Sequence, residues 1–180
     1  MILTHNELVA LVESGAIEGV KPEHINGASI DITMGGTFYY EAAPASTRTT
    51  IRLANKEAPE MIRDASSHLP LAPGMWCLAE TQQVFHLPND IAAIYVLKSS
   101  LARAGLNHLN AGYCDPGWNG SVLTMEFHNI NRWHTLILEE GMKAGQMYFF
   151  RGEAVPHELS YAVRGQYNGD KQAQPSKGVR

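Results

Sequence analysis

Hydrophobic and polar positions alternate along most of this chain, and the period of the alternation is mainly two. The segment ASIDITMG places Ile30, Ile32 and Met34 on one side of a strand and polar residues on the other. Further short apolar segments are bounded by Gly, Pro or Asn: GMWCLAETQQVFHLPND, IAAIYVL, SVLTMEFHN, HTLILEEG and GQMYFFRGE. Strands of this length and spacing predict a mainly β sandwich or barrel.

One helix is predicted before these strands. Thr4 and Glu7 fit the capping-box pattern, Leu8 and Leu11 share a helical face, and Gly15 follows the last helical position. The N-terminal sequence lacks the cationic start and long apolar core of a secretory signal peptide. No apolar run approaches the ~18 residues of a membrane span. We therefore expect a soluble, cytoplasmic protein with no membrane partner.

Two polar segments depart from the β pattern. Residues 55–68, NKEAPEMIRDASSH, predict a loop or an irregular excursion. The C-terminal stretch GQYNGDKQAQPSKGVR has almost no aliphatic content, so we expect it to stay outside the core and to be disordered without a ligand. The chain is therefore predicted to form a β domain over residues 1–164, with residues 165–180 as the polar tail of that domain.

Composition narrows the class of partner. The chain has 180 residues, of which 44% are hydrophobic, and this is enough for the core of one domain. Its formal net charge is −4, whereas a nucleic-acid-binding protein usually has a basic surplus. Nucleic acid is therefore not an expected partner, although a small anion bound at one local site is compatible with this charge.

Several familiar catalytic motifs are absent. The HNE at residues 5–7 matches half of a zinc deaminase signature, but Cys77 and Cys114 are far apart and form no P-C-x-x-C. The sequence also has no G-x-x-x-x-G-K-[ST] loop and no G-x-S-x-G elbow. We predict no zinc site, and His5 is better interpreted as a residue of the first helical turn.

The stretch KSSLARAGL begins at residue 98, directly after IAAIYVL. The apolar run has hydrophobic residues on both faces, which favours a buried strand. The stretch then predicts a short helix with Ser99 or Ser100 as N-cap and Gly105 as its end. Lys98 and Arg103 add two full positive charges.

A helix N-terminus with two cations nearby is suited to binding an anion. No carboxylate occurs between Asp90 and Asp115, so the segment itself offers these cations no partner. Taken alone, however, the stretch is better explained by a capped helix with two solvated cations, because most helix caps bind no ligand. The residues by themselves leave both interpretations open.

The segment SVLTMEFHN presents a glutamate on its polar face. Glu126 shares that face with Val122 and Thr124, while Leu123 and Met125 point the other way. Most such glutamates are solvated, but the apolar neighbour makes burial and a raised pKa conceivable for Glu126. In the preceding NAGYCDPGWNG, Ala111 and Gly112 allow a close approach of the backbone, and DPGWNG is predicted as a turn between strands.

Taken together, these motifs resemble the dCTP deaminase family of the trimeric dUTPase-like superfamily. KSSLARAGL resembles R-S-S-x-A-R-x-G-L, and AGYCDPGWNG resembles A-G-x-x-D-P-G-[FW]-x-G. Other similar segments are INGASIDITMGG, LAPGMWCLAETQQVFHLPNDI, MEFHN, GMKAGQMYFF and YNGDKQAQPSK. The resemblance covers nearly the whole chain in order. It implies a mainly β fold, a distorted jelly roll or β-clip, with a short N-terminal helix.

The resemblance implies zinc-independent hydrolysis of dCTP to dUTP and ammonia in pyrimidine deoxynucleotide synthesis. Glu126 would take a proton from the water that attacks C4 of cytosine. Arg103 would hold Glu126 and this water, and Ser99 and the backbone of Ala111 would orient the water. Asp115 matches the catalytic aspartate of dUTPases, which orients water toward the α-phosphate.

The resemblance also implies the residues that bind the nucleotide and the partners of the protein. The residues implied to contact the nucleotide are Lys98, Ser99, Ser100, Arg103, Asp115, Tyr161, Tyr167 and Lys171. Mg²⁺ would be bound through the triphosphate rather than by a protein cage, so no protein metal site is implied. The family further implies a homotrimer with sites at the subunit contacts, and dTTP as a candidate inhibitor. Lys98 stands where the family often has Arg, and Asp170 stands where it usually has Gln.

Two other functions remain open at this point. One is a dUTP diphosphatase, either alone or combined with deamination, which would give dUMP and pyrophosphate. Glu126 favours deamination, because plain trimeric dUTPases have an apolar residue at that position. The other is a catalytically silent nucleotide-binding protein, against which the complete set of Ser99, Arg103, Asp115 and Glu126 argues.

Overall fold

The computed structural model describes residues 1–44 and 50–178 and consists mainly of β-strands. The helices are α1 (His5–Glu13), α2 (Ser99–Arg103) and α3 (Tyr161–Arg164). The strands are β1 (Ile17–Glu18), β2 (Ile30–Glu41), β3 (Met61–Asp64), β4 (His68–Leu71), β5 (Trp76–His86), β6 (Ile91–Leu97), β7 (Leu106–His108), β8 (Tyr113–Cys114), β9 (Asn119–Asn129), β10 (Leu136–Glu139) and β11 (Lys143–Arg151). Short 3₁₀ turns span Pro22–His24, Leu53–Asn55 and His157–Leu159.

Strand β2 connects the two halves of a curled, antiparallel sheet. The strand order is β7-β9-β5-β2-β11-β6-β8, with β1 added to β5 and β3 added to β2, while β4 and β10 form a separate pair. Residues 30–33 of β2 pair with β11, and its later residues pair with β5 across a register shift between Met34 and Phe38. Gly35 lies at this shift, where an added Cβ would lie only 2.6 Å from the Glu80 Cγ. The glycine therefore leaves room for the Glu80 side chain where the sheet bends.

The core lies between the two halves of this sheet. Phe38, Phe85, Phe127 and Phe149 come from four different strands, and all four are fully buried. Helix α1 adds its predicted apolar face to the same core. Burial of apolar area on this scale is the main source of stability for such a domain.

The predicted helix start is confirmed. The backbone N–H of Thr4 donates to the Glu7 carboxylate at 3.0 Å, and α1 begins at the next residue, His5. This contact satisfies a backbone donor that a helix N-terminus would otherwise leave unpaired. No helix in the described part of the chain is long and apolar enough to span a membrane.

Two local predictions were wrong. Residues 55–68 are not an uninterrupted loop, because they contain β3, which pairs with β2, and the first residue of β4. Strand β6 is buried on one face only: Ala93 and Tyr95 point into the core, whereas Ile94 is 37% exposed. The apolar outer face of β6 is therefore not covered by the core of its own chain.

Candidate active site

A cavity of about 450 Å³ opens on the face of the sheet that points away from the core. Strands β5 and β9 form its floor because their side chains alternate between the two faces. On β5, Cys77 and Ala79 are buried in the core, whereas Trp76 and Leu78 line the cavity. A largely apolar cavity of this size with a few polar groups is typical of a small-molecule site.

Glu126 lies on the β9 floor of this cavity, directly opposite Leu78 in the strand register. Its Oε2 atom is buried and has no hydrogen-bond partner among the described residues. Burial raises the pKa of Glu126 to about 7, since water no longer solvates the charged form. The residue can therefore both accept and return a proton near neutral pH, as general acid–base catalysis requires.

The turn between β8 and β9 forms one wall of the cavity. Asp115 lies on this wall, and burial raises the pKa of its carboxyl group. Trp118 stacks on Phe85 with ring centroids 5.2 Å apart, which fixes the turn to the core. Gly112 is required nearby, because an added Cβ would lie 2.4 Å from the Tyr95 carbonyl oxygen. The predicted turn between strands is confirmed, and Ala111, which precedes β8, also lines the cavity.

The C-terminal tail covers the cavity from the other side. The Val122 N–H donates to the Asp170 carbonyl oxygen at 2.9 Å, and the Gln174 N–H donates to the Thr124 hydroxyl at 3.0 Å. Ala173 is fully buried, so the prediction that the tail contributes nothing to the core was wrong at this residue. The correction applies to residues 165–178, because residues 179 and 180 lie outside the described part.

Within the tail, Asp170 has a specific partner. The Lys177 Nζ donates to both of its carboxylate oxygens, at 2.9 and 2.7 Å, and lies 4.8 Å from the centre of the Tyr167 ring. Asp170, which departs from the family pattern, therefore forms an ion pair within the tail, with Lys177 seven positions later. Lys171, the predicted phosphate ligand, is exposed and does not line the cavity.

Helix α2 begins one residue earlier than expected. Its N-cap is Lys98 rather than Ser99 or Ser100, and both serines are exposed on the first turn. Arg103 is also exposed and forms no ion pair with any described residue. Lys98 is not free, because the buried Asp31 on β2 accepts a hydrogen bond from its Nζ at 2.8 Å. The sequence segment lacks a carboxylate, but the fold supplies one.

The structure therefore brings together only part of the predicted site within one chain. The predicted residues that line the cavity are Ala111, Asp115, Glu126, Tyr161 and Tyr167. The predicted residues outside its lining are Lys98, Ser99, Ser100, Arg103 and Lys171. Because no described lining residue is a lysine or arginine, a triphosphate held here would need cations from outside the lining.

Several lining residues were missed by the sequence analysis. Trp76 and Leu78 have the same period-two spacing as Glu126, but nothing in the sequence indicates that β5 is the neighbour of β9. Met61 and Gln174 come from segments that were predicted to be irregular. In the part of the chain that the structure describes, no group of three or more His, Cys, Asp or Glu side chains is arranged to hold a metal ion.

The fold of the curled β-sheet has a solved structural relative. The fold matches 2′-deoxycytidine 5′-triphosphate deaminase from Agrobacterium tumefaciens with a TM-score of 0.64 at 22% identity. The match covers 87% of this chain but only 50% of that one, so this chain spans half the length of the solved protein. The predicted mainly β, dUTPase-like fold is confirmed.

The chain belongs to the dCTP deaminase-like family, whose model matches residues 2–152. Two curated relatives named "dCTP deaminase, dUMP-forming" come from Nocardioides sp. and Thermobifida fusca, and each is 33% identical to this chain. The alignments cover 100% and 98% of this chain and 96% and 92% of the relatives. The prediction of an enzyme of this family is confirmed at the level of the family.

Proposed function

We propose that this protein hydrolyses dCTP to a deoxyuridine nucleotide and ammonia. The observation that carries the proposal is the Glu126 carboxylate in a cavity of nucleoside size. Burial in this cavity raises the pKa of Glu126 to about 7. The names of the curated relatives support cytosine as the base. A carboxylate in this environment suits proton transfer at neutral pH without a protein-bound metal.

In the proposed reaction, the Glu126 carboxylate takes a proton from water as the water oxygen bonds to C4 of cytosine. Glu126 gives this proton to the ring N3 as the tetrahedral intermediate forms. Glu126 then takes the remaining proton from the new C4 hydroxyl and gives it to the amino group on C4. The C–N bond breaks, ammonia leaves with the electron pair, and C4 becomes a carbonyl. Asp115 and Trp118 line a wall of the same cavity, and in this proposal they contact the sugar.

The triphosphate requires cations that the cavity does not supply. We assign this role to Lys98 and Arg103 of a neighbouring subunit, together with Ser99 and Ser100, in a homotrimer. This assignment is supported by the exposure of α2 and by the uncovered apolar face of β6. The substrate would enter as its Mg²⁺ complex, with the metal bound by the phosphates.

A second activity on the same nucleotide is favoured by one further observation. Asp115 lies in the same cavity as Glu126, and the relatives that align over nearly the full chain are named as dUMP-forming. Hydrolysis between the α- and β-phosphates would give dUMP and pyrophosphate. We therefore favour the combined reaction over a deaminase that stops at dUTP.

The test is incubation of the purified protein with dCTP and Mg²⁺, followed by chromatography of the products. Equimolar dUMP, pyrophosphate and ammonia would support the combined reaction, whereas dUTP and ammonia would support deamination alone. A parallel incubation with dUTP separates the two steps. Recovery of unchanged dCTP under all conditions would refute the proposed function.

A further inference from the structure

One carboxylate outside the cavity is shared by two lysines. Asp31 is 4% exposed, and its two oxygens accept hydrogen bonds from Lys98 Nζ and Lys143 Nζ, each at 2.8 Å. Asn26 Nδ2 donates to the same carboxylate at 3.0 Å. Burial alone would raise the pKa of Asp31, but the hydrogen bonds from Lys143, Lys98 and Asn26 outweigh it and lower this pKa to about 2. Asp31 is therefore charged at every working pH.

The backbone fixes these groups relative to one another. Asp31 on β2 pairs with Gln146 on β11, and the Lys98 N–H donates to the Ala144 carbonyl oxygen at 3.2 Å. Lys143, the first residue of β11, is thereby held beside the start of α2. Its side chain is 42% exposed, against 29% for Lys98 and 6% for Asp31. The two ammonium groups thus lie at the surface above one buried carboxylate.

A buried carboxylate can lose one cation only if another remains. Removing the sole partner of a buried charge is strongly unfavourable, because the charge is then left in a poorly solvating environment. If Lys98 were the only partner of Asp31, it could not turn toward a phosphate without that cost. With Lys143 and Asn26 in place, Asp31 stays neutralised and hydrogen-bonded when Lys98 leaves.

We propose that Lys143 is a positioning residue for substrate binding. It keeps the Asp31 carboxylate neutralised and hydrogen-bonded, so that Lys98 can leave Asp31 and bind the triphosphate. The inference rests on the proposed function, because it takes Lys98 as a phosphate-binding residue. Lys143 itself does not contact the substrate in this scheme. Lys98 and Lys143 are not equivalent, since only Lys98 precedes the exposed first turn of α2.

The test compares variants of Lys143 and Asp31 by steady-state kinetics with dCTP. Lys143→Met keeps most of the aliphatic stem but removes the charge. It should raise the KM for dCTP roughly tenfold with kcat within about twofold of wild type, the pattern of a lost binding contribution. The double variant Asp31→Asn with Lys143→Met also removes the carboxylate that forms an ion pair with Lys98. Its KM should return to within about threefold of wild type.

Affinity is measured independently of turnover, by calorimetry of dCTP binding to the same variants in a Glu126→Gln background. Lys21→Met is the matched control, because Lys21 is exposed and forms no ion pair with any described residue. It should leave KM and affinity unchanged. If Lys143→Met does not fold, Lys143→Gln replaces it, since Gln keeps a donor for Asp31 without the charge.

The outcomes separate the inference from the function on which it rests. An unchanged KM and affinity in Lys143→Met would overturn the positioning role. An equal loss in the single and double variants would also overturn it, because Lys143 would then contact the phosphates directly. A wild-type protein that neither binds nor hydrolyses dCTP would refute the proposed function, whereas wild-type activity with either of the first two results would refute only the inference.

Discussion

At the scale of single residues, Glu126 shows how position on a strand determines chemistry. Its neighbours along β9 alternate with the core, so its side chain faces outward, where a glutamate is ordinarily solvated. The β8–β9 turn and the tail cover that face, which leaves Oε2 buried without a partner. An unpaired carboxylate oxygen in such a place costs stability. The catalytic role proposed for Glu126 would account for this arrangement.

The first prediction concerns catalysis by this residue. Glu126→Gln keeps the size of the side chain but removes the proton acceptor, so deamination of dCTP should fall by roughly 10²- to 10⁴-fold. Binding of dCTP, measured by calorimetry, should stay within a few-fold of wild type. Ammonia release from a coupled assay gives the rate. Near-wild-type turnover would exclude Glu126 as the base.

The second prediction concerns stability and pH. The pKa of Glu126 is raised from 4.5 to about 7 in the folded protein, so the folded state holds this proton more tightly than the unfolded state. The resulting stabilisation is complete below about pH 4.5 and is lost as the pH rises through 7. Glu126→Gln has no such proton. Its free energy of unfolding relative to that of wild type should therefore increase as the pH rises from 5 to 8, by up to about 3 kcal/mol.

Denaturant unfolding of both proteins at several pH values measures this difference. The comparison cancels the other titrating groups, which the two proteins share. A difference in unfolding free energy that stays constant with pH would mean that Glu126 is solvated in the folded protein.

At the scale of elements, the tail behaves as an added edge of the β domain rather than as a free terminus. Its backbone donates to and accepts from β9. Among the described tail residues only Ala173 is fully buried, and its N–H donates to the Glu80 carboxylate at 3.1 Å. Tyr167 also accepts a hydrogen bond from the Trp118 indole N–H at 2.9 Å through its carbonyl oxygen. The tail therefore helps to fix the wall that carries Asp115.

The third prediction is that truncation after Arg164 lowers the Tm. The deletion removes several backbone contacts to β9 and exposes Trp118, so a loss on the order of 5 °C is expected. Scanning fluorimetry measures the change, with Asp170→Asn in the full chain as control. That substitution weakens one partly exposed ion pair, and its Tm should shift by no more than about 2 °C. An unchanged Tm after truncation would show that the packed tail contributes no net stability.

At the scale of the whole molecule, the predicted site is divided. The carboxylates and aromatic side chains lie in one cavity, whereas Arg103 and the serines of α2 are exposed elsewhere on the chain. A site with one subunit's Glu126 beside another subunit's α2 would reunite them. Closed symmetric assembly repeats such a contact at every interface.

The fourth prediction follows from this arrangement. Arg103→Ala and Glu126→Gln should each be nearly inactive alone. Co-refolded in equal amounts, they should recover roughly a quarter of wild-type activity, the random fraction of interfaces with both wild-type residues. Sedimentation velocity should show a trimer in each sample. A monomer, or no recovery in mixed trimers, would place the whole site within one chain.

The local structure of this protein and its family could largely be predicted from local sequence patterns. Period-two alternation fixed the strands and the outward face of Glu126, and the Thr4–Glu7 pair fixed the start of α1. The order of motifs along the chain was sufficient to indicate the family, which the family match confirmed. These features depend on residues close in sequence, where backbone geometry dictates which side chains share a face.

Only the tertiary structure decided which distant groups meet. Lys98 lies 67 positions from the Asp31 that binds it, and Glu126 lies opposite Leu78 because β5, rather than another strand, is the neighbour of β9. A strand's period states which face a residue occupies but not which strand lies beside it. The burial of Ala173 and the resulting roof of the cavity likewise depend on that long-range pairing.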